Sequence, residues 1–306
     1  MVDVIVATYN GEKYLAEQLD SILGQTYKDI RIIVRDDGST DQTMDILDRY
    51  QKQYPDKIVI VQDEVQCHSS RSNFMQALCY SNSEYVMFSD QDDYWLPEKI
   101  ARTLSQMKKL EAESPKGTPL LVFCSYIPVD HDLKKISDQK SGRQEARYQL
   151  ALSNLLVQNY VHGCLMMINR ALAEIMGNYE ERILMHDWWA ALLAAGCGKI
   201  AHFDEELMLY RQHGNNVVGS VNVKSFRYRI EKLRDRKTKT SMDQYIKQAE
   251  LLKSRNYQDF TADQRKTLDT FIALKNRNKI GRMIGIVKGR YLKSDIVRVI
   301  GQLVNI

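Results

Sequence analysis

Apolar positions in the first ninety residues alternate between two spacings. Val4-Ile5-Val6-Ala7 is a continuous run that predicts a short buried strand, and Tyr14, Leu15, Leu19, Ile22 and Leu23 then fall on one helical face. The alternation repeats: Ile30 to Val34 as strand, Met44, Leu47 and Tyr50 as helix, Ile58 to Val61 as strand. Phe74, Met75 and Leu78 then mark a helix, and Tyr85 to Phe88 a fourth strand. Single helices between strands at this spacing predict an α/β fold with a mostly parallel central sheet covered on both faces. Pro97 is placed to open a helix running to about Glu113, and Leu120 to Cys124 reads as a fifth strand. The polar stretch from Lys134 to Arg147 reads as a loop. Beyond Gly219 only helical spacing remains, most clearly in Lys224 to Lys239 and Lys275 to Ile306. The expected division is residues 1–218 as a catalytic domain and 219–306 as a basic helical C-terminal extension.

Charge sharpens that division. The 306 residues carry a net charge of +4, yet residues 221–306 hold 21 Lys and Arg against 8 Asp and Glu, a net of +13. Residues 1–220 hold 22 against 31, a net of −9, so front and back are built for different partners. With 44% hydrophobic and 27% charged residues the composition is that of a globular protein, which excludes disordered and collagen-like classes. No apolar run approaches the ~20 residues of a membrane span, and Met1-Val2-Asp3-Val4-Ile5 lacks a signal-peptide pattern. Five scattered cysteines with no C-x-x-C pair argue against a disulfide scaffold or zinc knuckle and point to the cytoplasm.

The chemistry gathers where strands end. The second strand runs into Arg35-Asp36-Asp37-Gly38-Ser39-Thr40-Asp41, and the fourth into Ser89-Asp90-Gln91-Asp92-Asp93. In an open parallel sheet the ligand crevice lies outside the carboxyl ends of the strands. Clustered carboxylates repel one another unless a cation intervenes, and hard divalent ions take oxygen ligands shared with phosphates. The plainer alternative is a solvated acidic turn in which Asp36 or Asp41 caps a helix. Two such clusters at strand ends favour the site. Neither a Gly-x-Gly-x-x-Gly nor a P-loop motif is present, so dinucleotide and P-loop chemistry are excluded.

Ala7-Thr8-Tyr9-Asn10, Asp36-Asp37-Gly38-Ser39-Thr40-Asp41 and Asp90-Gln91-Asp92-Asp93-Tyr94-Trp95-Leu96-Pro97, in this order, resemble the family 2 glycosyltransferases of the GT-A nucleotide-sugar-binding fold. The likeness continues through His162-Gly163-Cys164, His186-Asp187-Trp188-Trp189 and Tyr210-Arg211-Gln212-His213, covering about residues 1–216. Within that family the chain is most similar to bacterial rhamnosyltransferases of cell-wall and capsular polysaccharide synthesis. The resemblance implies that Thr8, Tyr9 and Asn10 lie at the nucleotide, with Asp37 accepting from the pyrimidine N3–H. It implies a D-x-D signature in which Asp92 ligates Mn²⁺ or Mg²⁺ and Asp90 reaches the ribose or the metal. His213 completes the metal site, Asp187 is the catalytic base, and Trp188 is an aromatic wall for the sugar. The segment after the third strand departs from the family's glycine-rich pattern; it reads Gln66-Cys67-His68-Ser69-Ser70-Arg71, where Arg71 is the phosphate candidate and His68 is given no role.

The implied activity is metal-dependent inverting transfer of a sugar from a nucleotide sugar, dTDP-rhamnose or a UDP-sugar, to a lipid-linked saccharide. An aspartate-based phosphohydrolase is the rival enzyme class, though its D-x-D follows a first strand and here the motif follows the fourth. A degenerate, non-catalytic sugar-nucleotide-binding protein is the other alternative, against which stands the intact set Asp37, Asp92 and Asp187. Trp188 and Trp189 share helical spacing with Leu192 and Leu193, so one of them is expected in the core. In the tail, Ile280, Met283, Ile284, Ile286, Val287, Tyr291, Leu292, Ile296, Val297, Val299, Ile300, Leu303, Val304 and Ile306 are interleaved with Lys279, Arg282, Lys288, Arg290, Lys293 and Arg298, a basic amphipathic pattern of one or two helices interrupted near Gly289. Such a face suits an anionic membrane surface, placing the protein at the inner face of the cell membrane. Packing on the chain's own core or on a second copy in a homodimer is the alternative. No nucleic-acid module accompanies the charge, and nucleic acid is not an expected partner.

Overall fold

The computed structural model describes residues 1–63, 65–136, 150–212, 242–294 and 296–304. Strand β1 (Val2–Thr8) lies inside the sheet, paired in parallel with β2 (Ile30–Asp36) on one side and β4 (Tyr85–Ser89) on the other. β3 (Ile58–Ile60) extends β2 in parallel. The first strand is almost wholly buried, as a continuous apolar run covered on both faces must be. Its one charged residue, Asp3, sits opposite Arg31 of β2 and is satisfied by that guanidinium at 2.8 Å and by the Ser81 hydroxyl at 2.7 Å. Past β4 the sheet becomes mixed. β7 (Met166–Asn169) runs antiparallel to β4 and to β6 (Leu120–Val129); β8 (Lys199–Arg211) is parallel to β6; β5 (Tyr94–Trp95) closes the edge antiparallel to β8. The order is β3-β2-β1-β4-β7-β6-β8-β5.

Helices α1 (Leu15–Leu23), α2 (Thr43–Gln53), α3 (Ser70–Leu78) and α4 (Lys99–Ala112) occupy the positions that the periodicity predicts. α3 starts where Ser69 caps the Ser72 N–H. α4 begins two residues later than the proline signal suggested: the Pro97 carbonyl is taken by the Thr26 N–H at 2.8 Å, and the helix starts after Glu98. The short α5 (Leu152–Leu155) and α6 (Arg170–Met176) precede α7 (His186–Cys197), whose two tryptophans are both buried. β5, β7 and β8 were not visible in the periodicity. β5 has two residues, and β8 reads Lys-Ile-Ala-His-Phe-Asp-Glu-Glu before its apolar end, a charged run that sequence patterning assigns to a surface.

The C-terminal region is helical, as expected: α8 (Met242–Asn256), α9 (Ala262–Ile272), α10 (Lys279–Lys288) and α11 (Ile296–Val304). The 224–239 stretch and His213 lie outside the described residues. These helices share the core of the sheet region. Tyr245 of α8 packs on Trp188 with ring centroids 5.4 Å apart, and Phe271 of α9 meets Tyr291 edge-on at 4.9 Å. The break between α10 and α11 begins at Gly289, where a Cβ would stand 2.1 Å from the Tyr291 ring. Because Phe271 is fully buried, Phe271→Ala should cost about 3–5 kcal/mol. The melt, followed by circular dichroism and tryptophan fluorescence, should stay a single transition at lower temperature; two separate transitions would show that the helices fold apart from the sheet.

Candidate active site

A cavity of about 580 Å³ opens at the carboxyl ends of β1, β2 and β4, where a parallel sheet offers its crevice. Thr8, Tyr9, Asp37, Asp90, Asp92 and Asp187 all line it. Six residues from four separate stretches of sequence therefore meet in one space.

Three loops form one side of it. Asp36 at the end of β2 accepts from the Thr8 hydroxyl at 2.7 Å and from the Gly38 and Ser39 N–H groups at 3.0 and 2.7 Å, fixing the acidic turn. Asp37 accepts the Cys67 N–H at 2.6 Å. Arg35, buried beneath, pairs with Asp63 at 2.6 Å, donates to Asn73 at 2.9 Å and lies 3.7 Å from Asp37, so one guanidinium holds the 63–67 loop against the pocket. Asn10 adopts a left-handed backbone, φ 48°, which asparagine tolerates. It donates its N–H to the Ser39 hydroxyl and accepts the Thr40 N–H, each at 2.8 Å, and is not part of the cavity wall.

Gln91, between the two aspartates of the D-x-D motif, joins the remaining loop. Its amide accepts the Tyr9 N–H at 2.9 Å and donates to the Tyr9 carbonyl at 3.0 Å, pairing with the backbone as a neighbouring strand would. Gly11 makes this possible: a Cβ there would stand 2.3 Å from the Gln91 amide oxygen.

Carboxylates crowd the floor. Burial, reinforced by the charges of Asp92 and Asp187, pushes Asp90 up to about 7. Asp93 is fully buried and burial likewise raises it; one oxygen accepts the Arg211 N–H at 3.1 Å and the other has no hydrogen-bond partner. Two basic side chains, Arg211 and Lys99, lie beside the cluster, and burial lowers Lys99 from its ordinary value. Arg211 donates to the Asp92 carbonyl at 2.9 Å, to the His131 carbonyl and to Glu17, and lies over the Tyr14 ring at 4.4 Å. Lys99, fully buried, donates to the Cys164 carbonyl at 2.5 Å and stands 3.8 Å from the centre of the Trp95 ring. Ligand atoms of Asp90, Asp93 and Cys164 lie within 4.8 Å of one another. Burial holds the Cys164 thiol well above its ordinary value, so it stays protonated and the donors on offer are carboxylate oxygens. An oxygen-rich, charge-crowded floor with one unpartnered carboxylate oxygen fits a hard divalent ion such as Mg²⁺ or Mn²⁺.

Opposite stands Asp187 in the first turn of α7. Its carboxylate accepts the Gly163 N–H at 3.1 Å and the Trp188 N–H at 2.6 Å. Burial nonetheless pushes it up to about 6. His186 packs beside it, 4.2 Å from the Phe74 ring and 5.2 Å from Phe88. Burial lowers it to about 3, keeping the imidazole neutral. Gly163 leaves room for that ring, since a Cβ would come within 2.4 Å of His186 Nε2.

Two expected contacts lie elsewhere. Trp188 turns from the cavity: its indole N–H donates to the Leu155 carbonyl at 2.5 Å. Arg71 lies over Tyr179, 5.9 Å from the ring centre, and donates to the Ile183 carbonyl at 3.4 Å. Conversely Arg35, Gln91, Lys99 and Arg211 carry weight that motif reading did not assign. Only their positions inside or beside the acidic motifs signal them, because buried partners are not encoded in spacing.

This fold and site fit a glycosyltransferase, and comparison with known proteins shows that class. The sequence profile "Glycosyl transferase family 2" matches residues 3–176, more than half the chain, so the protein belongs to that family of glycosyltransferases. Among curated proteins it is 30% identical over 239 residues to the dTDP-rhamnosyl transferase RfbG of Shigella flexneri, covering 74% of this chain and 78% of that one. It is 29% identical over 213 residues to an uncharacterized glycosyltransferase of Rickettsia typhi, covering 68% of this chain and 63% of that protein. Among solved structures, S. aureus TarS in complex with UDP-GlcNAc superposes with a TM-score of 0.57 at 17% identity, covering 99% of this chain and 89% of that one. The mannosyltransferase PcManGT of Pyrobaculum calidifontis, in complex with GDP-Man and Mn²⁺, gives 0.54 at 18% identity, covering 99% and 86%. At these identities the structures establish the shared fold.

Two outcomes follow from the geometry. Gln91→Ala removes two hydrogen bonds worth about 0.5–1.5 kcal/mol each, so calorimetry should show nucleoside diphosphate binding weakened by ~5–160-fold. Gly11→Ala displaces the same amide, and the double variant should be little worse than either single one; additive losses would show that Gly11 and Gln91 act separately. For Asp187, the folded pKa of about 6 stands above its ordinary value of 3.8, so its ionisation opposes folding as pH rises through that window. Asp187→Asn should therefore melt higher than the native chain at pH 8 and lose that advantage at pH 4; a gain of equal size at both pH values would exclude a desolvated carboxylate.

Proposed function

We propose that this glycosyltransferase is metal-dependent and inverting, transferring L-rhamnose from dTDP-rhamnose to a hydroxyl of a lipid-linked saccharide during cell-surface polysaccharide synthesis. The observation that carries the chemistry is one cavity holding Asp37, the Asp90/Asp92 pair and, opposite them, Asp187. The rhamnosyl donor is supported by the Shigella relative, itself a dTDP-rhamnosyl transferase, which aligns along 74% of the chain. A UDP-sugar is the second donor reading, since the TarS neighbour is in complex with UDP-GlcNAc.

In this reading Asp37 accepts from the base, and the Thr8–Tyr9 loop, tied to the motif by Gln91, holds the nucleotide. Asp92 and Asp90 would hold a divalent ion, with His213 as the third candidate ligand. When bound, that ion supplies Lewis-acid stabilisation of the charge developing on the diphosphate. Asp187 takes the proton of the acceptor hydroxyl as its oxygen attacks the anomeric carbon from the face opposite the departing diphosphate. The new C–O bond forms as the old one breaks, and the anomeric configuration inverts. A carboxyl poised near 6 suits this role: it is ionised at neutral pH and basic enough to accept a proton. The basic C-terminal helices are read as the contact with the inner face of the cell membrane, where such an acceptor is anchored.

The test is transfer from dTDP-rhamnose, with UDP-sugars in parallel, followed by chromatography and by NMR of the new linkage. Native protein should give an inverted product, with EDTA abolishing both turnover and calorimetric dTDP binding. Asp187→Asn should bind donor normally while kcat falls at least ~10²-fold. Undiminished dTDP affinity in EDTA would refute the metal claim, and near-native kcat in the variant would move the base to another residue.

A further inference from the structure

We infer that the α10–α11 helix pair is a docking element for an anionic lipid bilayer, tied by its connecting turn to the segment that holds Asp187. The inference builds on the membrane reading above by assigning the contact to named residues and linking it to Asp187. The pair has two distinct faces. Inward, Ile286 is fully buried, and Tyr291, just past α10, donates its hydroxyl to the Thr267 carbonyl at 2.7 Å. Outward, Ile280, Ile284 and Val287 follow one another at four- and three-residue spacing along α10, and Ile300 and Val304 do the same along α11. All five are between 50% and 68% exposed. The Lys279 ammonium donates to the Val304 carbonyl at 3.1 Å, which brings the start of α10 to the end of α11 and places Ile280 and Val304 at the same end of the pair.

An apolar face of this kind in water needs an occupant, and charge selects one. Residues 277–304 contain seven basic side chains and one acidic. Arg277, Lys279, Lys288, Arg290 and Arg298 are exposed around the stripe. A second copy of the same surface would bring like charges together. A bilayer carrying anionic headgroups accepts both features: isoleucine and valine enter the acyl boundary while lysine and arginine meet phosphate. Among the described residues no helix is long and apolar enough to cross a membrane, so the element lies on the surface.

The turn between the helices ties this face to catalysis. The Leu292 carbonyl accepts from Asn154 at 3.0 Å, and Gln158 accepts the Ser294 N–H at 3.0 Å. The next residue, Asn159, braces the start of the segment that leads to Gly163, accepting the Val161 N–H at 3.0 Å and donating to its carbonyl at 2.7 Å, and Gly163 in turn donates its N–H to Asp187 at 3.1 Å. The α10–α11 pair is thus tied through residues 154–163 to the part of the chain that holds the Asp187 carboxylate.

The experiment compares the native chain with the double variant Ile284→Glu/Ile300→Glu in sedimentation with phosphatidylglycerol and with phosphatidylcholine vesicles. Both positions are exposed, so the variant should keep its melting temperature, which is measured alongside. Native protein should pellet with phosphatidylglycerol vesicles, far less with phosphatidylcholine, and the variant should lose at least ~10-fold in partitioning. Failure of native protein to pellet, or equal pelleting of the variant, overturns the assignment. So does a native dimer, seen by light scattering, that the variant converts to monomer without any vesicle binding. Calorimetric dTDP binding by both proteins reports separately on the catalytic reading, so the two claims fail independently.

Discussion

Carboxylates brought close together in a low-dielectric cavity dominate this protein. Asp90, Asp92 and Asp93 leave the end of β4, Asp187 faces them from α7, and burial with mutual repulsion keeps Asp90 and Asp93 from ionising easily. Such a cluster is destabilising unless something offsets it, and much of the surrounding structure does so. Arg211 ties the motif's backbone to α1 and β8, and Lys99 lies beneath in the core. In the proposed reading a bound cation would relieve this crowding and, with it, a diphosphate could be held. The same desolvation raises Asp187, as the proposed role of general base would require.

Rigid coupling between loops is the second theme. The loop 8–12, the acidic turn 36–43 and the D-x-D loop come from separate strand ends, yet side chains from each satisfy the backbone of another. Asn10 bonds residues 39 and 40, Thr43 accepts the Gly11 N–H, and Gln91 brackets Tyr9. Loops on strand ends are ordinarily the mobile part of an α/β protein. Here cross-bonding turns three of them into one preorganised surface, which would lower the ordering entropy lost on binding the proposed nucleotide sugar.

The parallel half of the fold and its acidic strand ends were legible in the sequence, because buried strands and amphipathic helices leave periodic traces and D-x-D is a compact signal. The antiparallel half was not. β5 is two residues long, β7 is four, and β8 carries His202, Asp204, Glu205 and Glu206 in a strand that pairs with β6 and β5 near the edge. For the site, motif residues that touch the cavity were readable one by one, while those that hold them in place were not. Arg35, Lys99 and Arg211 act through partners 28 to 194 positions away, and no local pattern records such distances. Trp188 shows the converse: its motif neighbour Asp187 faces the cavity, but one further step around α7 sends the indole to Leu155.

The most direct test of the central claim is anomalous diffraction from crystals of the chain soaked with Mn²⁺ and dTDP-rhamnose. The account predicts one manganese peak between the Asp90/Asp92 carboxylates and the diphosphate, with Asp187 facing the sugar's anomeric carbon from the opposite side. A peak away from those carboxylates, or a sugar whose anomeric carbon faces away from Asp187, would contradict it.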